Sequence, residues 1–278
     1  METKERREEI LISLEWLKKN LDGAGLLIAD CRYDLRDPGR GLSRYLEAHI
    51  PGAFHLDMAA DLSGPLFEHG GRHPPPWPAA FKRSMDRVGL RPETLVVAYD
   101  DDGSGAARLW WLLRYFGHER ARILDGGWPG WKETGAPLES GRPRARTGNF
   151  DPRPRRELIV FKDDLKRLRH GTPIIDARAP ERYSGDSEPL DAKAGHIPGA
   201  VNIPYHGVLD KPAHFKSSAA IEELFGEAGP DPVLYCGSGV TACVCVAALA
   251  SIGRPSRLYA GSWSDWISYA DSEIALGQ

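Results

Sequence analysis

The sequence predicts an α/β protein built from two homologous domains. Three observations support this prediction: a set of motifs that occurs twice in the same order, short apolar runs that alternate with segments of helical spacing, and a proline- and arginine-rich segment between the copies. Short buried strands that alternate with helices form mostly parallel sheets with helices on both faces. We therefore expect one such sheet in each half of the 278-residue chain.

The internal repeat consists of four pairs of matched blocks. In chain order they are IADCR at 28–32 with IIDAR at 174–178, HIPGA at 49–53 and again at 196–200, VAY at 97–99 with VLY at 233–235, and GGWPGW at 126–131 with GSWSDW at 261–266. An unchanged pentapeptide is hard to obtain by chance. Four blocks in one order indicate a duplicated domain.

The spacing of the blocks predicts the domain boundaries. It falls from 147 positions at HIPGA to 136 at the VAY block, so the first copy contains about eleven additional residues, which we assign to the glycine- and proline-rich stretch 64–78. Between the copies, 139–156 is rich in proline and arginine and reads as a solvated linker. The predicted domains are 1–138 and 157–278.

Within each copy, strand-like runs alternate with helical ones. The predicted elements of the first copy are a helix at 9–21, a strand at 26–29, a helix at 79–88, a strand at 95–98, a helix at 105–116 and a strand at 123–124. Those of the second copy are 161–168, 173–175, 221–225, 232–235, 241–252 and 258–259, in the same alternation.

The composition excludes several classes of protein. A net charge of −3 gives no electrostatic reason to expect a nucleic acid partner or an anionic membrane. The longest apolar stretch, 242–250, is about half of the ~20 residues that a bilayer requires. The first ten residues are rich in charge and lack the apolar core of a signal peptide. We expect a cytoplasmic protein.

Cys236 is the strongest candidate for a chemically active residue. It follows an apolar strand and precedes an apolar helix, in a loop that contains Gly237 and Gly239. Such glycines let backbone N–H groups turn inward around one anionic atom, and the helix adds its unsatisfied first-turn N–H groups. An environment of this kind lowers a thiol pKa from about 8.5 toward neutrality. The loop therefore predicts a nucleophilic thiolate.

The other cysteines point to packing instead. Cys243 and Cys245 lie inside an apolar helix, and Cys31 ends a strand where the second copy has Ala177. In the gap-free match, Cys236 corresponds to Asp100, which is no sulfur nucleophile. One domain is therefore expected to be catalytic and the other not.

Other cysteine chemistries fit less well. A phosphatase loop of the Cys-x5-Arg type needs arginine at 242, where this chain has alanine. No local signature of a cysteine protease surrounds Cys236, and there is no CxxC motif for redox chemistry or zinc. We expect neither a metal nor an organic cofactor.

Taken together, these motifs resemble those of a known protein family. Paired domains with Asp-x-Arg, HIPGA and Gly-x-Trp-x-x-Trp segments, and a cysteine at the loop position only in the second domain, resemble tandem-domain rhodanese-family sulfurtransferases over about 26–266. The resemblance implies two rhodanese-like domains. It also implies a Cys236 persulfide as the intermediate. The Cys236 thiolate takes sulfane sulfur from a small-molecule donor, and the persulfide passes it to an acceptor, either a thiol such as thioredoxin, or cyanide.

The loop CGSGVT at 236–241 is similar to the form found in 3-mercaptopyruvate sulfurtransferases, whereas thiosulfate-preferring members carry charged residues after the cysteine. Thiosulfate is a compact dianion that would gain from cations beside the nucleophile, and the loop itself supplies none. We therefore expect 3-mercaptopyruvate as the donor. The alternatives are thiosulfate with the same persulfide, and a noncatalytic sulfur carrier or interaction module.

The resemblance also assigns site residues. Arg178 matches an arginine that the family uses for substrate and is the expected carboxylate clamp, with Arg182 as a second. The alternative for both is a structural ion pair, since Arg32 matches Arg178 in the first copy. Ser238 and Thr241 are expected to donate hydrogen bonds to the developing enolate or the persulfide. Together with Gly237, Gly239 and Val240 they form the expected substrate-binding loop.

A Ser-His-Asp relay is the last expectation. In some family members the histidine and aspartate come from the first domain, which here would join Ser238 to His49 and Asp37. His196 repeats His49 in the other copy, and a histidine present in both copies favours a loop-fixing role. The four tryptophans of the repeated Trp motif are expected in the core.

Overall fold

The computed structural model describes residues 2–143, 146–168 and 171–277. Residues 1, 144, 145, 169, 170 and 278, which fall within the predicted domains and linker, lie outside the described residues. The chain divides into two compact units. Unit 1 comprises Met1–Gly64, Pro75–Arg155 and Lys211–Phe215, and unit 2 comprises Pro65–Pro74, Arg156–Asp210 and Lys216–Gln278.

Unit 1 is built around a five-stranded parallel sheet. Its helices are α1 (Glu2–Ile10), α2 (Leu14–Lys19), α3 (Arg40–Glu47), α4 (Pro78–Arg87), α5 (Ser104–Tyr115) and α6 (Gly127–Glu133), and its strands are β1 (Leu11–Ile12), β2 (Leu26–Asp30), β3 (Phe54–His55), β4 (Leu95–Tyr99) and β5 (Ala121–Leu124). The strand order is β1-β5-β4-β2-β3, and every pair is parallel.

Unit 2 repeats that sheet. Its strands are β6 (Ile159–Val160), β7 (Ile174–Asp176), β8 (Ala200–Asn202), β11 (Val233–Tyr235) and β12 (Arg257–Tyr259), and its helices are α7 (Lys162–Leu165), α8 (Pro180–Ser184), α9 (Ser218–Phe225), α10 (Ala242–Ser251) and α11 (Ser262–Trp266), with 3-10 turns at Arg156–Leu158, Tyr205–Val208 and Gly226–Ala228. The order β6-β12-β11-β7-β8 is that of unit 1, again with parallel pairs. A small two-stranded sheet is formed by β9 (Leu209–Lys211) and β10 (His214–Phe215). The predicted α/β class is confirmed.

The predicted helix at 9–21 is wrong in one respect. The structure interrupts it with β1, whose Leu11 pairs with Ile123 at the edge of the sheet. Ser13 then caps α2 by accepting a hydrogen bond from the Trp16 N–H at 3.1 Å. The apolar residues of this segment suit either conformation locally, and pairing with β5 decides between them.

Each unit contains one short segment from the other half of the sequence. In unit 2, Pro65–Pro74 comes from the stretch to which we assigned the additional residues of the first copy. In unit 1, Lys211–Phe215 is held by a hydrogen bond from the Gly126 N–H to the Ala213 carbonyl at 2.8 Å. The predicted boundaries 1–138, 139–156 and 157–278 stay a prediction. Each compact unit contains one segment that these boundaries would place in the other domain.

The repeated motifs form the same buried network in both units. In unit 1, Asp30 binds Arg32 through Nη2 at 2.6 Å and accepts a bond from the Tyr99 hydroxyl at 2.7 Å. The Tyr99 hydroxyl in turn accepts the N–H of Ile50 in HIPGA at 3.2 Å. The arginine lies over the ring of Trp128, 4.3 Å from its centroid. One polar network thus links all four repeated blocks.

The counterparts in unit 2 reproduce that network. Asp176 binds Arg178 at 2.6 Å, the Tyr235 hydroxyl accepts the Ile197 N–H at 3.1 Å, and Arg178 lies 4.6 Å from the centroid of the Trp263 ring. Trp131 and Trp263 are fully buried, which confirms that the repeated tryptophans belong to the core. Within the described ranges, no helix is long and apolar enough to cross a membrane.

Candidate active site

Cys236 lies at the end of β11, the middle strand of the second sheet. The loop 236–241 then leads into α10. It turns at Gly239, whose φ is +74°, and a Cβ there would lie 2.2 Å from the Ala260 carbonyl oxygen, so only glycine fits. The Cys236 side chain is 1% exposed. Its charge is therefore set by neighbouring groups of the protein more than by bulk water.

Hydrogen bonds to the sulfur favour the thiolate. Burial by itself raises the pKa of Cys236, but the Thr241 hydroxyl and the N–H groups of Ala242, Ser238 and Gly239 outweigh it, so the pKa lies below its ordinary value. The Gly239 N–H donates to Sγ at 3.2 Å. This is the inward-turned set of amides that the sequence predicted.

The other thiols lack this arrangement. Burial, followed by the charge of Asp100, raises the pKa of Cys31 well above its ordinary value. Burial also raises the pKa of Cys245 strongly. Cys243 donates its S–H to the Gly239 carbonyl at 3.3 Å, inside α10. Cys236 thus differs from Cys31 and Cys245, because its pKa is lowered whereas theirs are raised.

Arg178 lies inside the protein with its donors engaged. Its Nε binds both Asp176 oxygens at 3.0 and 3.1 Å, its Nη2 donates to Asp176 and to the Gly195 carbonyl at 2.6 Å each, and its Nη1 donates to Glu188 at 3.2 Å. The side chain is 1% exposed. Protein acceptors thus hold the guanidinium, and Arg32 makes the corresponding contacts with Asp30 and the Ala48 carbonyl in unit 1. A contact of Arg178 with the donor carboxylate stays a prediction.

Two other arginines lie beside the loop. From the position of a Cβ at Gly237, Arg72 Nη2 is 3.0 Å away, and Arg182 Nη2 and Nη1 are 3.3 and 3.4 Å away. Arg182 is anchored by Glu188, which accepts from its Nε at 3.0 Å, and by Asp191, which accepts from its Nη2 at 2.8 Å. Asp191 also binds Arg72 Nη1. The loop supplies no cation of its own, but its surroundings supply two.

The loop residues predicted to bind substrate lie together around Cys236. The Gly237 carbonyl accepts the Ser264 N–H at 3.0 Å, and Val240 is 3% exposed. Thr241 contributes its hydroxyl to the sulfur. Their contact with a donor stays a prediction.

Ser238 has a histidine partner that the sequence did not indicate. His73 Nδ1 lies 2.8 Å from the Ser238 hydroxyl oxygen. The pair lies within unit 2, since His73 belongs to the segment Pro65–Pro74. The hydroxyl of Ser238 is thus polarised by an imidazole next to the nucleophile.

The expected relay residues have other surroundings, in unit 1. His49 is fully buried, stacks on Tyr45 with centroids 4.1 Å apart and has Nδ1 2.7 Å from the Tyr45 carbonyl oxygen. His196 has the same arrangement with Tyr183 in unit 2, at 3.8 and 2.9 Å. Asp37 is exposed and accepts the Gly39 N–H at 3.2 Å. The structure pairs Ser238 with His73, whereas both repeated histidines contact the backbone carbonyl of a tyrosine. A relay through His49 and Asp37 stays a prediction.

Sequence reasoning missed Arg72, His73, Glu188 and Asp191. Glu188 and Asp191 have 3% and 2% exposed side chains, although their surrounding sequence is polar and reads as a loop. Arg72 and His73 lie in the stretch 64–78, which was predicted to contain the additional residues of the first copy. That additional length was the signal for them, but it predicted no function. In the described parts of the chain, no cluster of three or more His, Cys, Asp or Glu side chains could hold a metal ion.

Unit 1 has a different group at the position that corresponds to Cys236. Asp100 follows β4 and is 2% exposed, and its carboxylate accepts the N–H groups of Gly103 and Gly105 at 2.8 and 2.7 Å. Burial, and then the charge of Asp102, raises the pKa of Asp100 well above its ordinary value. The loop amides are thus occupied by the protein's own carboxyl group.

Comparison with known proteins agrees with the two-domain α/β fold. The sequence profile of the rhodanese-like domain matches residues 13–134 and 161–269. The chain belongs to the rhodanese-like domain family.

Its relatives in this family match over almost the whole length. A putative thiosulfate sulfurtransferase, SseB of Mycobacterium tuberculosis, is 39% identical over 288 residues, which covers 98% of each chain. A probable 3-mercaptopyruvate sulfurtransferase of Pseudomonas aeruginosa is 40% identical over 278 residues, or 96% of this chain and 98% of that one. The crystal structure of SseA from Escherichia coli, a 3-mercaptopyruvate sulfotransferase, superposes with a TM-score of 0.81 at 32% identity and covers 91% of this chain and 98% of the other.

The pKa of Cys236 yields a first prediction for this rhodanese-family chain. The substitution Thr241→Val removes the hydroxyl that donates to the thiolate, so the pKa of Cys236 should rise. A hydrogen bond to a charged group is worth about 1.5 kcal/mol or more, so the rate of Cys236 alkylation by iodoacetamide at pH 7 should fall about tenfold.

The measurement is the pH–rate profile of alkylation, with the modified residue located by mass spectrometry. Thr241→Ser, which keeps the hydroxyl, is the matched control and should retain the profile of the unmodified protein. An unchanged profile in Thr241→Val would contradict the assigned role of the hydroxyl.

The buried arginine pairs yield a second prediction. Removing one partner of a buried ion pair costs about 3–5 kcal/mol, so Arg178→Ala should lower the free energy of unfolding by that amount. Arg32→Ala should do the same, because it breaks the same network in unit 1.

Urea unfolding followed by circular dichroism measures both variants. A stable Arg178→Ala protein with a raised KM for the sulfur donor would instead identify Arg178 as the substrate clamp that the family resemblance implied.

Proposed function

We propose that this chain is a sulfurtransferase that moves sulfane sulfur from 3-mercaptopyruvate through a Cys236 persulfide to a thiol acceptor, such as thioredoxin, or to cyanide. The observation that carries the proposal is a buried cysteine with a lowered pKa beside two guanidinium groups. The full-length similarity to sulfurtransferases supports it.

The proposed reaction has two steps. The Cys236 thiolate attacks the sulfur of 3-mercaptopyruvate, the S–S bond forms, and the C–S bond breaks with its electron pair going to carbon. The resulting enolate takes a proton and leaves as pyruvate. The acceptor thiolate or cyanide then attacks the outer sulfur of the persulfide, and the Cys236 thiolate is released.

Residues around the loop have distinct roles in this scheme. The amides and the Thr241 hydroxyl hold the negative charge on sulfur before attack and after release. Arg182 binds the donor carboxylate, because its Nη atoms lie next to Gly237 while Glu188 holds its Nε. Ser238, polarised by His73, donates to the keto oxygen as it becomes an enolate and assists proton transfer. Arg178 positions Glu188.

Thiosulfate is the second candidate donor. The sequence argument against thiosulfate was that loop 236–241 contains no cation. In the structure, however, Arg72 and Arg182 lie beside the loop. The SseB relative, named a putative thiosulfate sulfurtransferase, supports the same alternative. A noncatalytic carrier remains the third reading, and a cytoplasmic location stays a prediction.

The donor comparison tests the function. Purified protein should turn over 3-mercaptopyruvate with a higher kcat/KM than thiosulfate, with cyanide and thioredoxin as acceptors. Cys236→Ser should lose at least a thousandfold of this activity, since the nucleophile is removed. Cys31→Ala, a matched change in unit 1, should keep it.

A preference for thiosulfate would overturn the choice of donor. A +32 Da adduct on Cys236 that forms but never turns over would indicate a carrier.

The proposed role of His73 predicts different effects of its substitution with the two donors. His73→Gln should lower kcat with 3-mercaptopyruvate about a hundredfold, the usual scale of general acid–base assistance. With thiosulfate the loss should stay within threefold, because sulfite leaves without needing a proton.

His69→Gln is the control from the same segment, where His69 stacks on Tyr269 at 3.8 Å. Equal losses with both donors would point to a structural role for His73 instead.

A further inference from the structure

Ser262 has a backbone conformation that serine seldom adopts. Its φ is +57°, in the left-handed region that favours glycine. In the repeated Trp motif, GSWSDW at 261–266 matches GGWPGW at 126–131, so the counterpart of Ser262 in unit 1 is Gly127, whose φ is +51°. Both units thus build the same turn, and unit 2 places a side chain where glycine would be the easier choice.

The Ser262 hydroxyl joins two backbone groups beside the nucleophile. Its oxygen accepts the Cys236 N–H at 3.1 Å, and it donates its proton to the Tyr259 carbonyl at 2.9 Å. The side chain is fully buried, so water does not compete for either bond. The carbonyl takes the single hydroxyl proton, which leaves a lone pair of the oxygen for the Cys236 N–H.

The two bridged groups are those that a longer sheet ladder would pair. β11 and β12 are paired as far as Leu234 and Leu258. The next hydrogen bond of this parallel ladder would run from the Cys236 N–H to the Tyr259 carbonyl. The Ser262 hydroxyl lies between these two groups instead. Cys236 is therefore held to the sheet by a side chain, at the point where the described strand pairing stops.

Unit 1 has the backbone part of this arrangement without the hydroxyl. The Trp128 N–H donates to the Asp100 carbonyl at 2.8 Å, as the Trp263 N–H donates to the Cys236 carbonyl at 3.0 Å. Gly127, however, has no side chain that could accept an N–H. The hydroxyl bridge therefore distinguishes the turn of the unit that contains the nucleophile.

The backbone of Cys236 determines where its sulfur lies. Sγ accepts the Gly239 N–H at 3.2 Å, and this bond and the other donors of the loop favour the thiolate. Such bonds weaken steeply when their geometry departs from linear. Without Ser262, the buried Cys236 N–H would lose this acceptor, and the backbone would move to find another. The hydroxyl thus keeps the sulfur aligned with the loop donors.

We propose that Ser262 is a positioning residue that, by accepting the Cys236 N–H, holds the nucleophilic sulfur against the donors of the loop. This inference rests on the proposed sulfurtransferase function and extends it to a residue outside the predicted site. Ser262 is fully buried, so it acts through the backbone of Cys236 and not on the sulfur donor. The same bond serves the thiolate before attack and the persulfide after it, because neither step changes the Cys236 N–H.

Ser262→Gly in the full chain separates positioning from stability. Glycine suits the positive φ, and this gain should offset the lost hydrogen bond, so the midpoint of urea unfolding should stay close to that of the unmodified protein. The rate of Cys236 alkylation by iodoacetamide at pH 7 should nevertheless fall about fivefold, the scale of one lost hydrogen bond. The pH–rate profile should shift to higher pH, since the thiolate is the reactive form.

Turnover should show the same division. In Ser262→Gly, kcat should fall about fivefold with 3-mercaptopyruvate and with thiosulfate, while both donor KM values stay within twofold, because the buried hydroxyl does not contact the donor. Ser262→Ala is a second variant, which keeps the positive φ and loses the hydroxyl. It should show the same loss of alkylation rate together with a lower unfolding midpoint.

Ser251→Ala is the matched control. Ser251 is also a fully buried serine of unit 2, and its hydroxyl donates to the Ala248 carbonyl at 2.7 Å within α10. The variant loses a buried hydroxyl bond that does not involve the backbone of Cys236. Its alkylation profile and its kcat should therefore match those of the unmodified protein.

An alkylation profile of Ser262→Gly that coincides with that of the unmodified protein would overturn the inference. So would a loss of rate that Ser251→Ala reproduces, or a donor KM raised more than twofold at constant kcat.

The alkylation readout separates this inference from the proposed function, because it needs no sulfur donor. If the unmodified protein turns over neither donor, the proposed function fails, and the alkylation profiles still decide whether Ser262 positions the thiolate. If the unmodified protein is active and Ser262→Gly is alkylated at an unchanged rate, the inference alone fails.

Discussion

The site depends on one physical interaction, the solvation of a buried sulfur anion by the protein. Cys236 is almost fully shielded from water, which by itself favours the neutral thiol. Backbone amides and the Thr241 hydroxyl reverse that preference. They can do so because a glycine with positive φ turns the chain at 239 and because α10 begins at Ala242.

The two units show what this interaction requires beyond the fold. Both have the same sheet order and the same Asp-Arg-Tyr network next to the central strand. In unit 1, however, the amides after β4 bind the carboxyl group of Asp100. The shared scaffold therefore presents loop N–H groups to an acidic side chain in either unit. The outcome differs, because the pKa of Cys236 is lowered whereas burial and the charge of Asp102 raise that of Asp100.

Charge around Cys236 is closely balanced by buried carboxylates. Arg72 and Arg182 share Asp191, and Arg178 and Arg182 share Glu188. These carboxylates keep the guanidiniums at fixed positions and limit their mutual repulsion. The surroundings of the three arginines nevertheless differ. Arg178 is held entirely by the protein, whereas the others retain Nη atoms beside Gly237.

The sequence by itself determined the α/β class, the duplication, the tryptophan core and the backbone environment of Cys236, because all of these follow from patterns local to a strand, a turn or a helix. Cys236, with its glycines and the helix after it, was recognisable for that reason. The split of 9–21 by β1 was not, since two residues join a sheet only through a partner strand.

Only the tertiary structure decided which side chains surround the loop. His73 and Arg72 lie far from Cys236 in the chain and enter unit 2 through an additional segment, while His49 and Arg178 are held by buried partners of their own. Hydrogen-bond partners and exposure depend on contacts across the fold. Residue type and spacing carry no information about such contacts. The sequence therefore does not distinguish Arg178, which buried acceptors hold, from Arg72, which lies beside Gly237.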